Sequence, residues 1–543
     1  MRPNALLAIA LISGLLAAGC ATDDDGSADG ANLVVGTVSD PVALDPAQVL
    51  DQESNRVATQ IFESLVTMKP GTGEVVANLA TSWTASEAAD EWTFELRDDV
   101  EFHDGTTFDA EAVCFNFDRW YHFEGIQQSE GLALFWNAVM GGFADGRSPS
   151  LYESCEVVGD HEVTFHLTRP SVSFLAALAV SGFGIASPTA LEKYGADDVG
   201  GSEEAPVFNG TFATEHPVGT GPFVFDSWER NSRLQLVANE DYWGDPPAIE
   251  RLVFVPIANA AARRQALEAG DIDMYDLVDP EDVDVLRSQG FQLLERPGFN
   301  VGWLAMDQRV PPFDNEKIRQ AVAYALNREE LVGAKYPPGA ELADQFIPPS
   351  LSAHADDVPQ YPYDPERAEQ LIAESGLSGA DLTITFAYFS DASRAHTPVP
   401  QAAFEAFRRD LEAVGFKVEP NQLPFSPDYV AAAFSGGTGG MYLLGRNGDF
   451  ADPANFLNQY FGKFNEEFGF EDQELFDLLA RAEGEVDLDE RDRLYQEASR
   501  QVMEMVPAVP IAHVGTFLAM SPDFEGYVPS PVYVEPFSLV RTK

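Results

Sequence analysis

Segments with the pattern of β-strands alternate with segments that have the pattern of α-helices along the whole chain, and no internal repeat interrupts them. Within residues 92–96 and 163–167, apolar and polar side chains alternate, which is typical of a strand that buries one face. A chain of 543 residues, 45% of them hydrophobic, can bury a sizeable core and is long enough for two or more lobes. Strands interleaved with helices over such a length predict lobes of the α/β class.

Several helix boundaries are marked by residues that cap free backbone groups. Asp364 is predicted to be an N-cap, with Pro365 as the first helical residue and Gly376 at the end of the helix. Asp314 and Asp489 are predicted to precede two further helices. Their apolar residues recur at four-residue spacing: Ile318, Val322 and Leu326 in one, Leu494, Ala498 and Val502 in the other.

The N-terminus has the features of a secretory signal. Arg2 supplies a positive charge, residues 5–16 form a short apolar run, and small residues follow. Residues 16–20 (LAAGC) resemble a bacterial lipobox, in which the Cys is acylated and becomes the mature N-terminus; the alternative is an ordinary signal peptide with an accidental Cys. We therefore predict a signal peptide over residues 1–19, lipidation of Cys20 and a tether over residues 20–32. Residues 21–32 contain carboxylates and no large apolar side chain, so they cannot bury enough surface to fold.

The charge of the chain excludes one broad class of function. Its 88 acidic residues against 33 basic residues give a net charge of -55. Nucleic-acid binding requires clustered Lys and Arg, and a polybasic membrane patch requires the same, so neither is expected. After the N-terminal run, no stretch approaches the roughly 18 consecutive apolar residues that a membrane-spanning helix needs. The acidic balance is consistent with a solvated surface on an exported protein.

Three cysteines occur in the sequence. If Cys20 is acylated, Cys114 and Cys155 remain as a pair, and export to an oxidising compartment permits a structural disulfide between them. The alternative is two buried free thiols. Two Cys residues without a paired His nearby do not make a metal site, so no metal and no cofactor are predicted.

Five separated groups of residues resemble, in order, the family 5 extracellular solute-binding proteins of ABC importers, which bind dipeptides, oligopeptides or, in some branches, nickel complexes. We identify the chain as a member of this family on these segments: 61–66 (IFESLV), 71–74 (GTGE) and 79–83 (LATSW); 92–100 (WTFELRDDV) and 102–106 (FHDGT); 217–223 (PVGTGPF) and 239–244 (NEDYWG); 312–315 (PFDN) and 318–321 (IRQA); 448–456 (GDFADPANF).

The resemblance implies a type II periplasmic-binding-protein fold, in which two main lobes and an inserted third lobe are joined by a two-strand hinge. Lobe I is then expected over residues 33–62, 186–295 and 511–543, lobe II over residues 63–185, and lobe III over residues 296–510. The hinge strands are expected near residues 300–306 and 510–518. Closure of the lobes would bury a ligand in the cleft between them.

In peptide-binding members of the family, a carboxylate in a segment of the Gly-Asp-x-x-Asp-Pro type binds the ligand ammonium group, and the resemblance assigns this position to Asp449. The alternative is that Asp449 only caps a turn or helix. Asp452, directly before Pro453, is expected to be such a cap.

The neighbouring residues Gly445, Arg446 and Asn447 are predicted to take part in the ligand site. Many relatives have Trp where this chain has Arg446. Arg446 is expected either to bind a ligand carboxylate or to pair with Asp449 or Asp452. Trp303 is expected either to line the cleft or to belong to the core.

The function expected from these features is that of an exported, lipid-anchored solute-binding protein on the extracytoplasmic face of the membrane. It would act as a monomer that delivers short peptides to the permease subunits of an ABC importer. The alternatives are a nickel or other metal chelate, or an oligosaccharide, on the same fold. An extracellular hydrolase is disfavoured, because the chain has no His-Glu-x-x-His and no Gly-x-Ser-x-Gly motif.

Overall fold

The computed structural model describes residues 31–48, 51–129, 131–202, 205–532 and 535–543. The predicted signal peptide, Cys20 and the predicted tether up to residue 30 lie outside the described residues. The first strand begins at Asn32, at the end of the predicted tether. None of the helices in the described part of the chain combines the length and the apolar character of a membrane span.

A mixed sheet of seven strands is built from the beginning, the middle and the end of the chain. Its first strand in sequence, Asn32–Thr37, lies inside the sheet and runs parallel to both neighbours. The strands follow one another in the order Phe223–Glu229, Arg233–Ala238, Arg251–Pro256, Asn32–Thr37, Met274–Tyr275, Thr516–Met520 and Gln292–Arg296. Apolar side chains of these strands form a core with the helix Gln52–Ile61.

A second mixed sheet has six strands. Its central strand Asn300–Met306 is buried along its whole length between two antiparallel neighbours. The strand order is Glu341–Leu342, Ala508–His513, Asn300–Met306, Gly440–Asn447, Thr383–Tyr388 and Lys417–Gln422.

A third, antiparallel sheet has four strands in the order Ala80–Ala85, Glu91–Leu96, Glu162–Leu167 and Tyr152–Gly159. The alternation predicted for two of these strands is confirmed, since Trp92, Phe94 and Leu96 are buried, as are Val163, Phe165 and Leu167. The predicted disulfide is also present. It joins Cys114 on the helix Ala110–Tyr121 to Cys155 on the edge strand, with 5.3 Å between the two Cα atoms.

Three strand pairs lie apart from these sheets: Val66–Met68 with Val75–Ala77, Val199–Ser202 with Ala205–Phe208, and Phe524–Glu525 with Arg541–Thr542. The α-helices of the described residues are Gln52–Ile61, Ala110–Tyr121, Leu134–Val139, Ser173–Ala177, Pro188–Lys193, Phe212–Glu215, Ala260–Ala269, Val283–Gln289, Glu316–Ala325, Arg328–Lys335, Pro365–Ser375, Pro400–Ala413, Val430–Phe434, Ala454–Phe461, Gln473–Glu483 and Leu488–Met505.

One of the three predicted helix starts is confirmed and two are shifted. The Asp364 carboxylate accepts a hydrogen bond from the Arg367 backbone N–H at 2.8 Å, and Gly376 ends that helix in the left-handed conformation. The N-caps of the other two helices are Asn315 and Asp487, not Asp314 and Asp489. Each stretch contains neighbouring residues that can cap, and the cap is the one whose oxygen reaches a free backbone N–H.

The chain passes between the seven-stranded and six-stranded sheets twice, and the two connections lie side by side. One leads from strand Gln292–Arg296 to strand Asn300–Met306, and the other from Ala508–His513 to Thr516–Met520. Asn300 links them, since its side-chain amide donates to the Val514 carbonyl at 2.8 Å and accepts from the Val514 N–H at 2.9 Å. The hinge role of these connections and the lobe boundaries remain predictions.

Candidate ligand-binding cavity

A cavity of about 230 Å³ lies where the helix Gln52–Ile61, the segment 62–70 and residues 179–181 face Asp449. No Lys, Arg or His occurs among the described residues of its wall, whereas three carboxylic acids do. The wall consists of Asn55, Thr59, Gln60, Phe62, Glu63, Ser64, Thr67, Met68, Pro70, Asn78, Phe135, Ala179, Val180, Ser181, Pro222, Tyr242, Asp449, Glu535, Pro536, Ser538 and Leu539.

Asp449 reaches the cavity from the segment that follows the strand Gly440–Asn447. Its backbone N–H donates to the Asn455 side-chain oxygen at 2.9 Å, which holds the turn before the helix Ala454–Phe461. The Asp449 side chain keeps 22% exposure, and one carboxylate oxygen, Oδ2, accepts a hydrogen bond from Arg446. No described residue donates a hydrogen bond to Oδ1, so this oxygen is available for a ligand.

Asp452 is directed away from the cavity. Its buried carboxylate accepts hydrogen bonds from the Ala454 N–H at 2.9 Å and from the Arg491 guanidinium at 2.8 Å. The two carboxylates of the segment therefore differ: Asp452 is buried and hydrogen-bonded within the protein, whereas Asp449 lines the cavity.

Arg446 forms an ion pair with Asp449 and is not part of the cavity wall. Burial lowers the pKa of its guanidinium, but the charges of Asp449 and Glu467 and the contact with Tyr460 outweigh burial, so the pKa is raised overall. Of the two roles predicted for Arg446, the geometry corresponds to pairing with Asp449. The guanidinium lies outside the cavity wall, bonded to Oδ2 of Asp449, and it offsets part of the charge of this carboxylate.

Gly445, Asn447 and Trp303 lie near Asp449 in the fold but not in the wall of the cavity. A Cβ atom on Gly445 would lie 2.5 Å from the ring of His396, so Gly445 leaves room for this buried ring. Asn447 pairs in register with Asn300 on the neighbouring strand.

Trp303 is fully buried, and its ring packs against Phe346, Tyr460 and Phe468 at centroid distances of 5.6, 5.2 and 6.1 Å. The ring thus belongs to the core beneath the Asp449 segment. The cleft role predicted as one alternative for Trp303 has no counterpart in this geometry.

Glu63 is a wall residue that was not singled out from the sequence. Its Oε1 accepts a hydrogen bond from the Tyr242 hydroxyl at 2.8 Å, and its Oε2 accepts from Trp243 Nε1 at 2.8 Å and from the Thr220 hydroxyl at 2.9 Å. Burial nevertheless raises the pKa of Glu63 to about 7, against the effect of these three donors.

Three of the segments that carry the family resemblance meet at Glu63. Glu63 itself belongs to residues 61–66, Thr220 to residues 217–223, and Tyr242 and Trp243 to residues 239–244. Arg97, from residues 92–100, lies over the Trp243 ring at 4.1 Å. The order of the segments in the sequence indicated the family. Their contact at one carboxylate depends on the tertiary fold.

Glu535, the third carboxylic acid of the wall, is compensated by the protein. Burial raises the pKa of Glu535, but ion pairs with Arg56 at 3.2 Å and Arg296 at 2.9 Å reverse this and lower the pKa to about 2. The carboxylate therefore stays ionised, and it joins the C-terminal part of the chain to the helix Gln52–Ile61.

No group of three or more potential metal ligands occurs among the described residues. The chemistry of the cavity is that of hydrogen bonding and charge complementarity with one open carboxylate oxygen on Asp449.

Comparisons with known proteins agree with the architecture. A family model described as "Bacterial extracellular solute-binding proteins, family 5 Middle" matches residues 74–468. Heme-binding protein A of Haemophilus influenzae is 32% identical over 524 residues, which cover 92% of this chain and 90% of that protein. The dipeptide-binding protein of Escherichia coli is 30% identical over 489 residues, which cover 87% of each chain.

Among solved structures, an ABC transporter-associated periplasmic binding protein from Helicobacter pylori, in complex with the peptide STSA, superimposes with a TM-score of 0.78 at 26% identity. The match covers 94% of this chain and 98% of that one. The predicted periplasmic-binding-protein fold is confirmed by this match. The chain belongs to the bacterial extracellular solute-binding proteins of family 5.

Proposed function

We propose that this protein is the lipid-anchored solute-binding subunit of an ABC importer, and that it captures short peptides in the cavity beside Asp449. The α-ammonium group of the peptide binds Oδ1 of the Asp449 carboxylate. The single observation that carries this proposal is the position of Asp449, which lines a cavity with no basic side chain among its described wall residues and has one carboxylate oxygen without a described donor.

Electrostatics supports an ammonium group at this position. A hydrogen bond between a cation and a carboxylate is about twice as strong as one between neutral groups. Arg446 holds the carboxylate in place through Oδ2 and offsets part of its charge. The ligand cation therefore adds to an ion pair that already exists, and the affinity depends on the directional bond to Oδ1.

The size of the cavity favours a short ligand. Its volume of about 230 Å³ lies below the range of roughly 300–1,000 Å³ that is usual for pockets enclosing drug-sized molecules. The wall also includes the side-chain amides of Asn55 and Asn78, which are polar groups of the kind that can bond to a peptide backbone. The names of relatives that bind dipeptides agree with this ligand class.

The cavity captures and releases the ligand without covalent chemistry. In this reading, the acylated Cys20 tethers the protein to the outer face of the membrane, where the permease subunits receive the ligand. A metal chelate, a heme and an oligosaccharide are the competing ligands.

Isothermal calorimetry with Ala-Ala and its N-acetylated form tests the ammonium contact directly. We expect Ala-Ala to bind and N-acetyl-Ala-Ala to bind at least about tenfold more weakly, because acetylation removes the charge that meets Asp449. Native mass spectrometry of the protein as purified provides the second measurement. A co-purified chelate, heme or sugar, together with no binding of short peptides, would overturn the proposal.

A further inference from the structure

Residues 171–173 make a contact with Glu483 that joins two distant parts of the chain. The Ser171 hydroxyl donates to Glu483 Oε1 at 2.6 Å, and the Ser173 hydroxyl donates to the same oxygen. Between them, the Val172 backbone N–H donates to the Glu483 carbonyl at 3.0 Å. We refer to Ser171, Val172, Ser173 and Glu483 as the Glu483 clasp.

The two sides of the clasp belong to different parts of the fold. Ser171 donates its backbone N–H to the Ala89 carbonyl at 2.9 Å, and the nearby Phe174 ring packs against Trp92 and Phe165 of the four-stranded sheet. Glu483 ends the helix Gln473–Glu483, which packs beside the helix Leu488–Met505 in the part of the chain between two strands of the six-stranded sheet.

The second carboxylate oxygen of Glu483 holds the clasp in position from its own side. Oε2 accepts hydrogen bonds from the Asn458 amide at 3.0 Å and from the Tyr495 hydroxyl at 3.2 Å. These two hydrogen bonds hold the Glu483 side chain independently of the serines, and only 14% of the side chain is exposed.

Each side of the clasp continues into one wall of the ligand cavity. Ser173 begins the short helix Ser173–Ala177, which leads directly to the wall residues 179–181. On the other side, Arg491 lies 4.0 Å from Glu483 and donates to Asp452, three residues after Asp449. A movement that separates residues 171–173 from Glu483 would therefore also separate the two walls.

We propose that the Glu483 clasp holds the two walls of the cavity together, and that its opening is a step in the entry and release of the ligand. This role rests on the proposed function as a capture protein. The serine hydroxyls and the Val172 N–H can exchange Glu483 for water when the walls part, so the contact is reversible.

The exchange rate of the Val172 amide hydrogen tests the clasp without any ligand. In the wild-type protein, this amide is expected to exchange slowly, because it donates across the clasp. In the double variant Ser171→Ala/Ser173→Ala, we expect it to exchange at least about tenfold faster, since both hydroxyl contacts are lost. Hydrogen exchange resolved by mass spectrometry measures both rates.

Two controls separate opening of the clasp from general damage. Ser288→Ala removes an exposed hydroxyl that bonds only to the Val285 carbonyl of its own helix, and it should leave the Val172 rate unchanged. Phe165, in the middle of the four-stranded sheet, should keep its slow exchange in the double variant. Glu483→Gln, which preserves the shape of the side chain, should give a smaller acceleration in the same direction as the double variant.

A second experiment connects the clasp to release. If Ala-Ala binds, its dissociation rate measured by stopped-flow should rise several-fold in the double variant, with the Asp449 contact intact. An unchanged Val172 rate in the double variant would overturn the clasp, and so would an accelerated Val172 rate with unchanged dissociation. Failure of Ala-Ala to bind the wild-type protein would count against the peptide ligand, while the amide rates would still decide whether the clasp exists.

Discussion

At the scale of single residues, the cavity is defined by carboxylates whose surroundings differ. Asp449 is half paired, with Arg446 on one oxygen and no described donor on the other. Glu535 is compensated by Arg56 and Arg296, whereas Glu63 has three neutral donors and no ion pair with a described residue. The same functional group therefore serves as a proposed ligand contact, a structural ion or a titrating acid, depending on its neighbours.

Asp449→Asn is expected to weaken the binding of Ala-Ala at least about tenfold, which corresponds to ~1.4 kcal/mol. The variant keeps the shape of the side chain but removes the charge that meets the ammonium group. Calorimetry measures the change, and Asp381→Asn, at an exposed position in a 3₁₀ turn, serves as the control. Equal affinities for the wild-type protein and the Asp449 variant would exclude this contact.

Glu63 is expected to make the stability of the protein depend on pH between about 4.5 and 7. Burial raises the pKa of Glu63 from 4.5 to about 7 in the folded protein. The folded state therefore holds this proton to higher pH than the unfolded state, and the contribution of the group to stability falls as the pH rises through this window. The loss is nearly complete about one pH unit above 7, where the carboxylate is ionised in both states.

Glu63→Gln removes this titration, so the free energy of unfolding of the variant minus that of the wild type should increase by about 1–3 kcal/mol from pH 4.5 to pH 8. Urea unfolding of both proteins at several pH values measures the difference. A difference that does not change with pH would show that Glu63 does not titrate in this window.

At the scale of elements, local sequence signals predict strands and helix caps, whereas contacts between distant residues have no local signal. The half-buried strands around Phe94 and Phe165 follow from alternation alone, and Asp364 is correctly identified as a cap. The predicted caps Asp314 and Asp489 lie one and two residues from the observed caps Asn315 and Asp487. The sequence does not distinguish them, because Asp and Asn are both good N-cap residues. The contact of Asn300 with Val514 has no local signal, since its partner is 214 positions away.

Asn300→Ala is expected to lower the free energy of unfolding by about 1–3 kcal/mol, because it leaves the Val514 N–H and carbonyl without their side-chain partner inside the protein. Urea unfolding measures the loss, and Asn259→Ala, which removes an exposed helix cap, is the comparison. The buried variant should lose more than the cap variant. A smaller loss at Asn300 would mean that water replaces the amide at little cost.

At the scale of the whole molecule, the wall of the cavity combines segments from distant parts of the sequence, and the chain crosses between the two larger sheets at adjacent strands. The proposed role of the Glu483 clasp belongs to this scale, because its hydrogen bonds join parts of the chain that lie more than 300 positions apart. The proposed lipid anchor belongs to the same scale, since it would determine where the molecule meets its ligand and its permease.

Cys20→Ala is expected to move the protein from the membrane fraction to the soluble exported fraction, because the acyl chains supply most of the membrane affinity. Fractionation followed by immunoblotting measures the distribution, and calorimetry should show unchanged affinity for Ala-Ala. Retention of the variant in the membrane fraction would contradict the anchor.

The sequence by itself determined the α/β class, the family and the half-buried strands, and it offered a disulfide between Cys114 and Cys155 as one of two outcomes. These features depend on local periodicity, on ordered motifs, or on a pair of cysteines that has few alternatives. Only the tertiary structure decided that Arg446 pairs with Asp449, that Trp303 lies in the core, and that Glu63 and Glu483 join segments far apart in the chain. Periodicity shows which face of an element is buried, but it does not show which element covers that face. The direction of a long polar side chain depends on charges and donors that the fold brings together from distant positions.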